Sequence, residues 1–205
     1  MRKFFSLKFA FTLLFFASIF LVRVGHAQET QVDVAGGGNI LWSPQNNTAS
    51  EAFLPPAEKG GIYPSGSFQY LNNRDRGINI EGAFRYHEGL YNGFQYYRPI
   101  LIDANAVYSR RLAPKTHGDL MAGPGVQSLL FYGERFCPLS SGGCSSNINS
   151  YHFLFHAGFA VRYYAWRSLF VRPEAHYYFI VNNHEFHSDN VFRVGVSVGW
   201  TWGHH

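Results

Sequence analysis

The sequence predicts an all-β protein, an eight-stranded antiparallel transmembrane β-barrel laid out as an up-and-down meander. Three observations predict it: residue-by-residue alternation of apolar and polar side chains, alternating long and short connections, and too much aromatic bulk on one parity for a small lumen. The alternation is plainest in the segment VFRVGVSVGWTW, from Val191 to Trp202. Val194, Val196, Val198, Trp200 and Trp202 share one parity, while Arg193, Gly195, Ser197, Gly199 and Thr201 share the other. Only a β-strand displays a period of two. A soluble sheet would turn the valines inward; a membrane barrel turns them to lipid.

Turn signals and alternation divide the chain into strands at Val32–Trp42, Ile62–Leu71, Gly77–His87, Ile100–Leu112, Asp119–Phe131, Tyr151–Ala165, Leu169–Ile180 and Val191–Trp202. In the third, Ile78, Ile80, Phe84 and Tyr86 alternate with Asn79, Glu81, Arg85 and His87. The fourth sets Ile102, Ala104, Ala106 and Tyr108 against Asp103, Asn105, Ser109 and Arg111. The sixth sets Tyr151, Phe153, Phe155, Phe159, Val161 and Tyr163 against His152, His156, Gly158, Arg162 and Tyr164. The seventh sets Leu169, Val171, Ala175, Tyr177 and Phe179 against Arg172, Glu174 and His176. The first, second and fifth strands, rich in Gly and Ser, carry a weaker pattern.

The long connections are Ser43–Gly61, Glu88–Pro99, Tyr132–Ser150 and Val181–Asn190; the short ones are Asn72–Arg76, Ala113–Gly118 and Trp166–Ser168. Outer-membrane barrels put short turns at the periplasmic end and long loops outside. With eight strands and both termini periplasmic, the phase agrees. The aromatic parity of the sixth strand would overfill an eight-strand lumen, which is only wide enough for ordinary side chains. It therefore faces lipid. Trp42, Tyr70, Tyr163, Trp166, Trp200 and Trp202, near strand ends, suit the interfacial girdles.

Residues 1–27 read as a signal peptide and 28–205 as the barrel domain. A basic start (MRKFFSLK) precedes an apolar run from Phe9 to Val22, with a small-residue site at Gly25-His26-Ala27. The run is short for a transmembrane helix. Four of the 17 Lys and Arg (Arg2, Lys3, Lys8 and Arg23) lie in this leader, which has no acid. The remainder balances 13 bases against 13 acids, so the basic character gives no case for a nucleic-acid partner. Cys137 and Cys144, in CPLSSGGC, are expected to form a local disulfide in an oxidising compartment. Their spacing matches no common zinc motif.

With these features in place, the chain resembles the small outer-membrane barrels typified by the OmpA transmembrane domain and OmpX. The terminal VFRVGVSVGWTW looks like that family's β-signal, which the barrel-assembly machinery reads; Gly203, His204 and His205 follow where the family usually ends on the aromatic. The resemblance implies a bacterial outer-membrane location, lipid and lipopolysaccharide as surroundings, and periplasmic termini with long loops outside.

The polar parity supplies the candidate site: a lumen ion network of Glu81, Arg85, Asp103, Arg111, Asp119, Arg162, Arg172 and Glu174. Arg111 and Asp119 fall opposite one another across a turn. Arg162 falls opposite Arg172, so a carboxylate must bridge them; Glu174 is nearest, with Glu81, Asp103 and Asp33 as further candidates. The expected role is a plug of salt bridges; the alternative is a charged constriction passing ions. No catalytic, cofactor or metal residues are assigned and no enzyme is expected. His184-Glu185-Phe186-His187-Ser188-Asp189 reads as a solvated polar loop. Lipid A deacylases have a similar barrel form but carry His-x-Ser-Asn on a strand, whereas His187 and Ser188 are adjacent in a loop, so that site does not carry over. Gly36-Gly37-Gly38 reads as close strand packing rather than a phosphate cradle. The expected function is structural or surface-interacting. Phe53-Leu54-Pro55-Pro56 and Tyr91, Phe94, Tyr96 and Tyr97 are the likeliest contact surfaces for an extracellular ligand; a lipid-modifying enzyme and a narrow pore stand as alternatives.

Overall fold

The computed structural model describes residues 30–44, 58, 60–72, 75–91, 95–136, 145–186 and 188–203. Nine strands follow in order: β1 (Gln31–Trp42), β2 (Ile62–Leu71), β3 (Arg76–Phe84), β4 (Gly89–Tyr91), β5 (Gln95–Ala113), β6 (Thr116–Phe136), β7 (Ser145–Tyr164), β8 (Leu169–Ile180) and β9 (Asn190–Trp202). Each is antiparallel to its neighbour, β1 also pairs with β9, and β3 pairs with β5. The sheet thus closes on itself with no free edge.

Nine segments make eight barrel staves, because β3 and β4 lie on the same edge of β5. Residues 76–84 pair with 100–108 and residues 89–91 with 95–97. Between them the backbone leaves the ladder and Arg85 N donates to the Pro99 carbonyl. The third stave, read from the sequence as ending at His87, is therefore broken rather than finished.

The seven connections keep their phase but not their lengths. The Ala113–Gly118 segment tightens to a two-residue turn between Ala113 and Thr116. At the other end, β5, β6 and β7 run far past their expected limits, so most of Glu88–Pro99 and Tyr132–Ser150 is ladder rather than loop. Polar residues such as Asn147, Asn149 and Ser150 hid this, because a ladder satisfies the backbone whatever the side chains are.

Alternation sorts the side chains. Thirty large apolar or aromatic residues among those described are more than a third exposed, and they lie on the outward parity. Ile78, Ile80, Ile102, Leu120, Val126, Phe153, Phe155 and Phe159 form a middle band with Val194, Val196 and Val198. Aromatics flank that band: Trp42, Tyr86, Tyr96 and Tyr151 toward the long connections, and Tyr70, Tyr108, Tyr163, Trp166, Trp200 and Trp202 toward the termini. Gly37 stands where β1 presses on β9; a Cβ there would lie 2.3 Å from the Val196 carbonyl oxygen.

Candidate functional site

The inward parity fills the lumen in layers. At the end carrying the termini, Ala35, Tyr164 and Phe170 pack together, and Leu71, Val107, Met121 and Ala160 form a second cluster. Toward the long connections, Leu41, Tyr63, Leu101, Leu154, Tyr178, Ile180 and Val191 close the bore, capped by Tyr97, Leu129, Phe131 and Phe186. The polar parity expected from the sequence is thus interleaved with apolar clusters. Leucines and tyrosines at inward positions near strand ends were the signal for it.

Two charge clusters accompany the apolar ones. The first lies on the terminal side of the second apolar cluster, since Ser109, Asp119 and Arg162 stand two residues nearer the terminal ends of β5, β6 and β7 than Val107, Met121 and Ala160. In the first, Arg162 is fully buried and its planar fork meets Asp119 twice, Nε at 2.6 Å from Oδ2 and Nη2 at 2.8 Å from Oδ1. Its Nη1 bonds Asp33 and its Nη2 donates to Ser109 Oγ at 2.7 Å. The Nη2–Oδ1 contact is a charge-assisted hydrogen bond, and the Nε–Oδ2 approach adds a close ion pair. In the second cluster Arg172 Nε donates to Glu174 Oε2 at 2.8 Å and Nη2 to Ser67 Oγ at 2.8 Å, while Arg193 bonds Glu81. Asp103 stands opposite Glu81 in register and accepts from Asn105. His156 and His176 stack beside it, 2.8 Å apart from Nε2 to Nδ1. Gly158 makes room for them: a Cβ there would lie 2.9 Å from His156 Nε2 and 3.0 Å from His176 Nδ1.

The sequence-derived network is redrawn accordingly. Glu81, Asp103, Asp119, Arg162, Arg172 and Glu174 lie inside. Arg85 sits at the mouth, where Nη1 donates to Tyr97 Oη at 2.8 Å. Arg111 is a correction. The register pairs it with His117 and gives Asp119 to Ser109, leaving Arg111 exposed with its guanidinium on the Ala113 and Pro114 carbonyls. The turn is shorter than the sequence suggested, and that shift moved every pairing across it. Nor does one carboxylate bridge Arg162 and Arg172; each arginine has its own acid. Arg193 was assigned the inner parity without a partner, and its bond to Glu81, 112 residues away, has no local signal.

The loop end folds inward too. Glu58 is wholly buried, accepting from Gln127 Nε2 at 2.7 Å and from Tyr63 Oη at 3.3 Å. Burial pushes its carboxyl up to about 7, against a smaller downward pull from those hydrogen bonds and from Arg85. The last connection corrects the expectation of a solvated loop: Phe186 is buried among Tyr91, Tyr97 and Phe131, and Glu185 pairs with His152 at 2.9 Å. Tyr91 Oη donates to the Glu185 carbonyl at 2.8 Å. Of the expected contact surface, Tyr96 is exposed while Tyr97 is buried, and Phe53–Pro56 and Phe94 lie outside the described residues. Cys137, Cys144, His187 and residues 1–27 also lie outside them. His184 is exposed, and Ser188 Oγ is committed to the Asn190 carbonyl at 3.0 Å.

No protein-family model matches the chain, and no curated protein matches it. Solved structures do. The N-terminal β-barrel domain of Pseudomonas aeruginosa OprF is 12% identical, with 85% of this chain and 99% of that one covered at a TM-score of 0.56. Ail of Yersinia pestis, crystallised with the heparin analogue sucrose octasulfate, is 11% identical with the same coverage and a TM-score of 0.57. Neisserial surface protein A is 14% identical, covering 86% and 99%, with a TM-score of 0.56. The chain has the fold of the small outer-membrane barrels. At these identities the likeness concerns the barrel alone, and no residue of the lumen network is carried over from it.

Proposed function

We propose that this protein is an integral outer-membrane barrel that works without catalysis, as a sealed scaffold presenting its long connections outside the cell. The observation that carries this reading is the sorting of side chains: an outward apolar belt around a lumen filled by buried ion pairs and apolar clusters. A soluble protein rarely exposes so large an apolar surface, and eight staves leave no aqueous channel once filled. Residues 1–27 serve as the export signal, and the barrel-assembly machinery reads β9. The termini lie in the periplasm, lipid and lipopolysaccharide surround the belt, and Cys137 and Cys144 pair within the third long connection. The scaffold's extracellular ligand binds at the loop end.

An epitope tag inserted at Ser141 tests the orientation. Intact cells should bind the antibody; binding only after permeabilisation would contradict the reading. Purified protein in a planar bilayer should show no discrete conductance, and a steady unitary current would establish a pore instead.

A further inference from the structure

Asp103, Asn105, His156 and His176 form a chain of hydrogen bonds with one direction. The Asn105 amide nitrogen faces Asp103, so the Asn105 carbonyl oxygen faces His156 Nδ1 at 2.6 Å. His156 Nδ1 must therefore donate. A neutral His156 then accepts at Nε2, which makes His176 Nδ1 the donor of the 2.8 Å bond between the rings. With His176 neutral, what remains on it is the Nε2 lone pair. It lies 3.7 Å from Glu174 Oε1 and 3.9 Å from Glu81 Oε1. His176 Nε2, Glu174 Oε1 and Glu81 Oε2 are all buried and lack any hydrogen-bond partner. The imidazole nitrogen thus faces two buried carboxylates, of which Glu81 holds Arg193 through Oε1 and keeps Oε2 unpartnered among the described residues.

We propose that Glu81, Glu174 and His176 bind a divalent transition cation of the zinc class. The three residues each offer a ligand atom within 4.8 Å of the others. Bonds of about 2.1 Å place two ligand atoms about 3.4 Å apart at a tetrahedral angle and about 4.2 Å at most. The imidazole spacings fall inside that range and are too long for a shared proton. One imidazole nitrogen with two carboxylate oxygens suits zinc and its neighbours. The Asn105–His156 chain fixes the tautomer and ring of His176 as an outer-shell partner does for a metal-bound histidine. Charge agrees. Among the described strand residues, five buried carboxylates (Asp33, Glu81, Asp103, Asp119 and Glu174) meet three buried guanidiniums (Arg162, Arg172 and Arg193). Within the cluster that holds the site the surplus is one, Glu81, Asp103 and Glu174 against Arg172 and Arg193, and a cation offsets it.

The lumen is closed, so the ion enters during folding and does not exchange afterwards. The full chain is expressed, purified from membranes, unfolded in urea and refolded into detergent with zinc; EDTA then strips surface-bound metal before elemental analysis. About one zinc per chain should remain, falling at least tenfold in Glu174→Gln and His176→Gln variants that still show heat-shifted gel mobility, while Asn105→Ala weakens retention by roughly 10- to 100-fold. Substitution of exposed His184 should change nothing. If neither variant folds, cobalt in the unsubstituted protein decides: visible bands of a low-symmetry site support the proposal, and an aquo-like spectrum overturns it. No retained zinc, or zinc equally retained by both folded variants, overturns it.

Discussion

Arg162 illustrates how a buried charge is tolerated. Its fork is filled by Asp119, Asp33 and Ser109, so a substitution to methionine would keep the stem's bulk while stranding two carboxylates. Arg162→Met should lower stability by about 3–5 kcal/mol, read as a shift of the urea midpoint in vesicles. An unchanged midpoint would mean that these acids are solvated. Glu58 makes the opposite case, a carboxyl buried without a full ion pair. Its value rises from 4.5 to about 7, so the folded chain holds a proton that the unfolded chain has released across that window. The contribution to stability is present below 4.5 and is lost as pH climbs through 7. The first connection should therefore resist protease better at about pH 5 than at about pH 8, and Glu58→Gln should erase the difference.

The strand β9 shows what alternation alone can and cannot convey. Val196 lies at its centre, paired with Gly38 and Pro173 and half exposed on the belt. Val196→Arg should cost about 2–4 kcal/mol, because a guanidinium at mid-bilayer has no water to meet. Denaturant titration in vesicles checks this; a loss under about 0.5 kcal/mol would place the face in water. The eight staves, their order and the inward or outward sense of most residues were legible in the sequence because the period of two is written residue by residue, whereas β4 was read as loop and Arg111 as inward. Register across turns was not legible. Arg111 took the wrong partner because nothing local distinguishes a two-residue turn from a six-residue one in APKTHG. The inward folding of Glu58 and Phe186 was equally hidden, since their partners Gln127 and Tyr97 are distant in sequence.

Across the whole molecule, closure sets the remaining properties. Every one of the eight staves has two neighbours, so the barrel ladder satisfies the backbone and side chains decide which solvent each face meets. The outward face is apolar between aromatic bands, the inward face filled by ion pairs and apolar clusters. The most direct test of that arrangement is a nitroxide placed at residue 196 through Val196→Cys, with its collision rates measured in vesicles. Membrane residence predicts frequent collision with oxygen and little with a water-soluble nickel chelate, and frequent collision with nickel would contradict it.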